Sequence, residues 1–172
     1  MQDPLNYSDD DKIAALRHLG ELGACIGPCD DEVHVEMKPF FGGTPIGDDV
    51  IPDVVRDILT LGNVRVLDLS ETAVTDASAA ELGKLHSIKE LWLGKLPFTD
   101  RGLESLATLS SLECLVLSGT KITDAGLSHL VAIKSLRFVQ LYGVEVTQAG
   151  IDRLRQAIPN LTVESVFGLQ HA

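Results

Sequence analysis

The chain has 172 residues, enough for one well-buried core, and is 45% hydrophobic but only 5% aromatic. Its formal net charge of −11 repels phosphate, which argues against nucleic acid and anionic membranes as partners. No run approaches the roughly 18 apolar residues of a membrane span. Its three cysteines, with no CxxC, make neither a disulfide framework nor a closed zinc site.

The first residues, MQDPLNYSDDDK, lack the basic n-region and apolar h-region of a signal peptide. A cytoplasmic protein is favoured, or an exported one if a leader is missing from the chain. Ser8 ahead of Asp9, Asp10 and Asp11 is a helix start. Ile13, Leu16, Leu19 and Leu22 follow as an apolar stripe and Gly23 ends it, so a capping helix is predicted over 9–22. The three acids lack the spacing, central glycine and closing Glu of a calcium loop. Residues 1–63 hold 13 acids and 4 bases, against 12 and 10 in 64–172. The acidic third reads as a solvated cap, with a site for a basic partner as the lesser reading. Cys25 and Cys29 could pair in an exported protein. His18 and His34 flank them without completing a ligand pattern, so no metal or cofactor is expected.

A first strand is predicted over 34–37, followed by an inserted Phe40-Phe41-Gly42-Gly43. The Phe pair reads as cover for the first layer, at the rim of the sheet face. The turn over 44–50 and a helix near 50–60 complete one irregular unit. Four copies then follow, opening at Val64, Ile88, Leu112 and Leu136 with a spacing of 24. A fixed period in the twenties with this leucine pattern is the mark of a solenoid. Each copy begins with apolar residues two apart (Leu67/Leu69, Leu91/Leu93, Leu115/Leu117, Val139/Leu141), which predicts a strand with one buried face. A turn follows, with Thr75-Asp76, Thr99-Asp100, Thr123-Asp124 and Thr147-Gln148 predicted to start helices by capping orphan N–H groups. Apolar residues then recur at helical spacing (Leu127, Leu130 and Ile133 in the third copy), giving a short helix packed behind the sheet. Gly102, Gly126 and Gly150 share one position, filled by Ser78 in the first copy, and are expected to allow close approach of the neighbouring coil. Leu96 and Val144 replace Thr72 and Thr120, interrupting any hydroxyl ladder. Pro159-Asn160-Leu161 opens a last partial strand through about Phe167, which reads as a genuine C-terminus.

The third copy, LECLVLSGTKITDAGLSHL, resembles the leucine-rich repeat family in the 24-residue LxxLxLxxTxITDxGLxxL form of bacterial and F-box-associated proteins. The resemblance covers roughly residues 44–161. It implies an α/β fold: a short right-handed horseshoe with a parallel concave sheet, short convex helices and an N-terminal capping helix. The expected organisation is a single domain over 1–172, with a helical cap (1–32), an irregular first repeat (33–63), four regular repeats (64–160) and a partial strand and tail (161–172).

Scaffold residues recur in every copy, so function must lie where copies differ. Three columns on the concave face differ: Val66, Glu90, Cys114, Phe138; Asp68, Trp92, Val116, Gln140; and Ser70, Gly94, Ser118, Tyr142. They grade from acids and serines to apolar and aromatic residues. Trp92, Val116, Phe138, Gln140 and Tyr142 form the candidate patch for a protein or peptide partner, because outward aromatics mark contact sites; the competing reading is that some of them pack on one another or under a loop. No GxxxxGK[ST], GxSxG, HExxH or GxGxxG occurs, and His86 and His129 fall on helices away from these columns, so no enzyme is expected. The resemblance implies a non-catalytic recognition module. The alternative is a self-assembling scaffold unit that associates through a strand edge or the concave face as a homo-oligomer. A carbohydrate- or small-ligand face built on Trp92 and Tyr142 is disfavoured by the shallow sheet.

Overall fold

A computed structural model describes residues 8–29, 32–37 and 46–165, with the side chains of 28 and 29 excepted. The Phe40-Phe41 insert and the end of the predicted last strand lie outside these residues. In chain order the elements are α1 (Asp9–Glu21), β1 (Ala24–Cys29), β2 (Glu32–Met37), α2 (Ile51–Leu61), β3 (Val64–Asp68), α3 (Ala79–Leu82, entered through a 3-10 turn at Asp76–Ser78), β4 (Glu90–Trp92), α4 (Asp100–Leu106), β5 (Cys114–Val116), α5 (Asp124–Leu130), β6 (Phe138–Leu141), α6 (Gln148–Ala157) and β7 (Thr162–Ser165). The strands form one sheet in chain order, β1 to β7. β2 to β7 are parallel throughout, and β1 pairs antiparallel with β2. This is the α/β solenoid that the repeat implies.

Successive coils are in register, so equivalent residues stack. Leu67, Leu91, Leu115, Val139 and Val163 form one buried column, with Leu69, Leu93, Leu117 and Leu141 beside it. Leu82, Leu106, Leu130 and Leu154 from the helices close on them. Burying one such side chain contributes about 1.5–3 kcal/mol, and one continuous core results. Each Thr caps its helix: the Thr99, Thr123 and Thr147 hydroxyls accept from the N–H groups of Arg101, Ala125 and Gly150.

The Asp beside each Thr does something else. Asp100 reaches the next coil, where its two oxygens accept the Thr123 N–H at 2.8 Å and the Thr123 hydroxyl at 2.6 Å. Asp76 does the same for Thr99, Asp124 for Thr147, and Asp48 of the irregular unit for Thr75. The small residue at the shared position makes room for that carboxylate. A Cβ on Gly126 would collide with Asp100 Oδ1, and one on Gly150 with Asp124 Oδ1. At Gly102 the space is shared between Asp76 and the buried ring of Phe98. In the first copy the Ser78 hydroxyl instead donates to Asp48 at 2.5 Å. Gln148 stands where the series of paired coils ends. Thr72 and Thr120 form no ladder: each hydroxyl donates to a carbonyl three residues back, Leu69 and Leu117.

Three local expectations change at the N-terminal end. First, the region after α1 is not purely helical: Ala24–Cys29 is a strand. With Cys25 and Cys29 four residues apart on one extended strand, their Cα atoms are separated by about 13 Å, beyond the roughly 7 Å that a disulfide can bridge. Cys25 is a free, exposed thiol. Second, the apolar stripe of α1 is displaced. Ala15 and Leu19 are buried, while Ile13 is 54% and Leu16 37% exposed. A strict spacing of three precesses by about 60° per step on a helix of 3.6 residues per turn, so Ile13 and Leu22 fall on opposite sides. Third, the first parallel strand begins at Glu32, two residues earlier than the spacing predicts. The Ser8 start is a full capping box, with Asp11 N–H donating to Ser8 Oγ and Ser8 N–H to Asp11.

Candidate functional site

Alternation along the strands turns residues 66, 68 and 70 and their equivalents away from the helices. The observed register aligns His34, Val66, Glu90, Cys114, Phe138 and Thr162 in one row, and Glu36, Asp68, Trp92, Val116, Gln140 and Glu164 in the next. The columns read from the sequence are therefore true neighbours on this outer face, and the five candidate residues lie on adjacent strands β4, β5 and β6 or just beyond β6. Their environments differ. Tyr142 is 42% exposed. Val116 and Phe138 are half-buried. Gln140 is held at both ends, accepting from the Ser118 hydroxyl at 3.1 Å and donating to Glu164 at 3.0 Å. Ser70 and Ser118 accept the N–H groups of Gly94 and Tyr142 across the strands, which makes this third column partly scaffold.

Trp92 leans rather than projects. His34 and Trp92 are on β2 and β4, about 10 Å apart at two strand spacings, yet their ring centroids are 6.2 Å apart. The rings converge over β3, whose outward Val66 and Asp68 are each 4% exposed. His34 Nε2 and Trp92 Nε1 are buried without a hydrogen-bond partner. Cys114, also half-buried on this face, has its thiol pushed up to about 11 by burial and by the nearby Glu90. It is a protonated filler at neutral pH, not a nucleophile.

The strand starts carry a ladder of charges beside these columns. Arg65 bridges Glu32 at 3.1 Å and Glu90 at 3.5 Å. Lys89 pairs with Glu113 at 2.9 Å, and that hydrogen bond, together with the charges of Lys89, Arg65 and Arg137, holds the Glu113 carboxyl below its ordinary range.

A second constellation, invisible to the sequence reading, joins α1 to α2. His18 Nδ1 lies 2.6 Å from Asp57 Oδ2, and Asp57 is buried. Arg56 donates to Asp57 Oδ1 from Nε at 3.2 Å and from a terminal nitrogen at 3.0 Å. The groove beside them is lined by Asp11, Ala14, Ala15, His18, Arg56, Asp57 and Thr60. Among the described residues that line it, Thr60 is the only hydroxyl and donates to the Arg56 carbonyl, so no described nucleophile faces the His–Asp pair. It ties the capping helix to the first repeat. Thirty-nine residues separate its members, and no local signal in the chain couples them. Among the described residues, no group of three or more His, Cys, Asp or Glu is placed to hold a metal ion, and no helix is long and apolar enough to cross a membrane.

Comparison with known proteins agrees with this architecture. Residues 108–131, which take in most of the third copy, match a family model described as Leucine Rich repeat. Among solved structures the chain is similar to internalin C2 from Listeria monocytogenes, at 23% identity and a TM-score of 0.51, over 62% of this chain and 43% of the internalin. The match thus spans less than half of the internalin's length. It is also similar to the leucine-rich-repeat ectodomain of the receptor kinase SOBIR1 from Arabidopsis thaliana, at 14% identity and a TM-score of 0.53, over 92% of this chain and 93% of that one. At these identities the likeness is one of fold. No curated protein matches.

Proposed function

Because this chain is a leucine-rich-repeat solenoid, we propose that it is a non-catalytic recognition module that binds a protein or peptide on the outer face of its sheet. Domains of this kind are in general protein-interaction modules. The observation that carries the reading here is the register. It sets Trp92 of β4 beside Val116 of β5 and Val116 beside Gln140 of β6, with Phe138 two residues before Gln140 and the exposed Tyr142 two residues after it. Apolar and aromatic residues gathered around a polar Gln140 on a sheet face are the composition expected of a contact centre. On the helix side, a groove between coils is lined by Asp124, Leu127, Gly150 and Arg153.

The test is affinity capture from the native host with the tagged full chain and with a Phe138→Ala/Tyr142→Ala variant. The expected result is a partner retained by the native chain and lost by the variant, with unchanged circular dichroism. Undiminished capture would remove the outer face as the site. One observation favours a second reading, self-assembly. β1 is one of the two edge strands among the described residues, and it exposes Ile26. Light scattering over a concentration series that shows only monomer would dismiss it.

A further inference from the structure

One polar group on the outer face is buried and short of partners. Asp68 is 4% exposed. Its Oδ1 accepts the Ser70 N–H at 2.8 Å, and its Oδ2, without a partner among the described residues, is not sealed from solvent. A carboxylate offers about four acceptor sites, and buried polar groups are nearly always satisfied. Beside it, His34 Nε2 and Trp92 Nε1 are buried and unpaired. The Trp92 indole is a donor only, so among these groups the open Asp68 oxygen is the one that a further donor group would complete.

Charge identifies that group. Among the described residues the outward positions of β2 to β7 hold Glu36, Asp68, Glu90 and Glu164 and no lysine or arginine. Among the described residues, Arg65 and Lys89 sit earlier on their strands and are engaged by Glu32, Glu90 and Glu113. We infer that the outer face receives a partner segment bearing a lysine or arginine that reaches Asp68 beneath Trp92. This rests on the outer face being the binding face. The Trp92 ring supplies a face for the cation, and a swing away from β3 frees its indole N–H from its unpaired position. The rest of the segment crosses the strands over Val116 and Phe138 towards Tyr142. From β3 to β6 is three strand spacings, about 14 Å, which about four residues of extended chain cover. The partner's signature is a basic residue with an apolar residue about four positions away.

The experiment is selection of a tryptophan-free display library of peptides about twelve residues long, enough to cross the sheet, on the full chain. Binding of the selected peptides is then measured through Trp92, the single tryptophan, for the native chain and for Asp68→Asn and Tyr142→Ala. Asn keeps an acceptor for the Ser70 N–H, so the fold is retained. Enrichment of Lys or Arg is expected, with affinity that falls as salt rises, weakens about tenfold or more in Asp68→Asn, and weakens also in Tyr142→Ala. Peptides that depend on Tyr142 but lack basic enrichment, or bind Asp68→Asn as tightly, overturn the cationic partner and leave the binding face standing. Peptides indifferent to both substitutions, or none selected, overturn both.

Discussion

At position 126 two residue-level tendencies oppose each other. Alanine is favoured over glycine in a helix by about 1 kcal/mol, and Gly126 lies in the first turn of α5 with no positive φ to excuse it. A Cβ there would strike the Asp100 carboxylate that holds Thr123. Overpacking a tight contact costs about 1–3 kcal/mol, and the rung is lost as well. Gly126→Ala is therefore expected to destabilise the chain by about 1–3 kcal/mol in urea unfolding; a gain in stability would show that Asp100 swings aside freely. The periodic glycine was legible in the sequence as a small-residue requirement. Its cause was not, because the atom it makes room for comes from the preceding coil. A different backbone demand recurs just after the strands, where Glu71, Lys95, Gly119 and Gly143 all have positive φ of 61 to 74°. Two copies meet it with glycine. The other two hold Glu and Lys there, with their side chains paired at 2.8 Å, against a left-handed cost of about 1–2 kcal/mol each.

At the scale of the element, the turn that joins strand to helix is a device for stacking coils. Its Thr caps the local helix while its Asp clasps the Thr one coil further on. Acid should undo this. The Asp124 carboxyl is held below its ordinary range by the Thr147 hydroxyl, then by the Thr147 N–H, despite some desolvation, with a further contribution from Arg153. At Asp48, desolvation raises the value, but the hydrogen bonds from Ser78 and Thr75 outweigh it and leave the carboxyl lowered. A lowered folded-state pKa gives stability that is fully present above the unfolded value, about 4, and lost as pH falls through the folded value. Urea midpoints should thus hold steady from pH 7 to about 5 and decline below about 4. Asp124→Asn should start lower and decline less; an equal decline would mean the clasp does not titrate. Strands, turns and short helices were legible because each is a local periodicity repeated in four copies. α1 was legible as a helix through its Ser8 start, but its buried face was not. Ile13 and Leu16 look like core in a linear stripe, and only the docking of α1 on α2 selects Ala15 and Leu19 instead.

For the whole molecule, the question is how the stack is closed and which face it leaves open. The N-terminal end is closed by α1 and by the antiparallel strand β1, and the His18–Asp57 pair ties α1 to α2. The His18 side chain is 36% exposed, so solvent screens the pair and its worth is about 1 kcal/mol. Asp57→Ala should speed amide exchange in α1 several-fold while α4 and α5 are unchanged; equal protection of α1 would show that Ala15 and Leu19 hold the cap alone. The sequence by itself determined the solenoid, the direction of its repeat strands and the three columns of the outer face, though not the antiparallel β1, because a 24-residue period and a side-chain period of two leave one way to bury the leucines. It did not reveal that Trp92 leans over β3 against His34, that Asp68 lies beneath with an oxygen unfilled, that the turn aspartates bind the following coil, or that His18 meets Asp57. Each of these is a contact between residues on different coils or elements, and such contacts exist only once stacking has brought distant parts of the chain together.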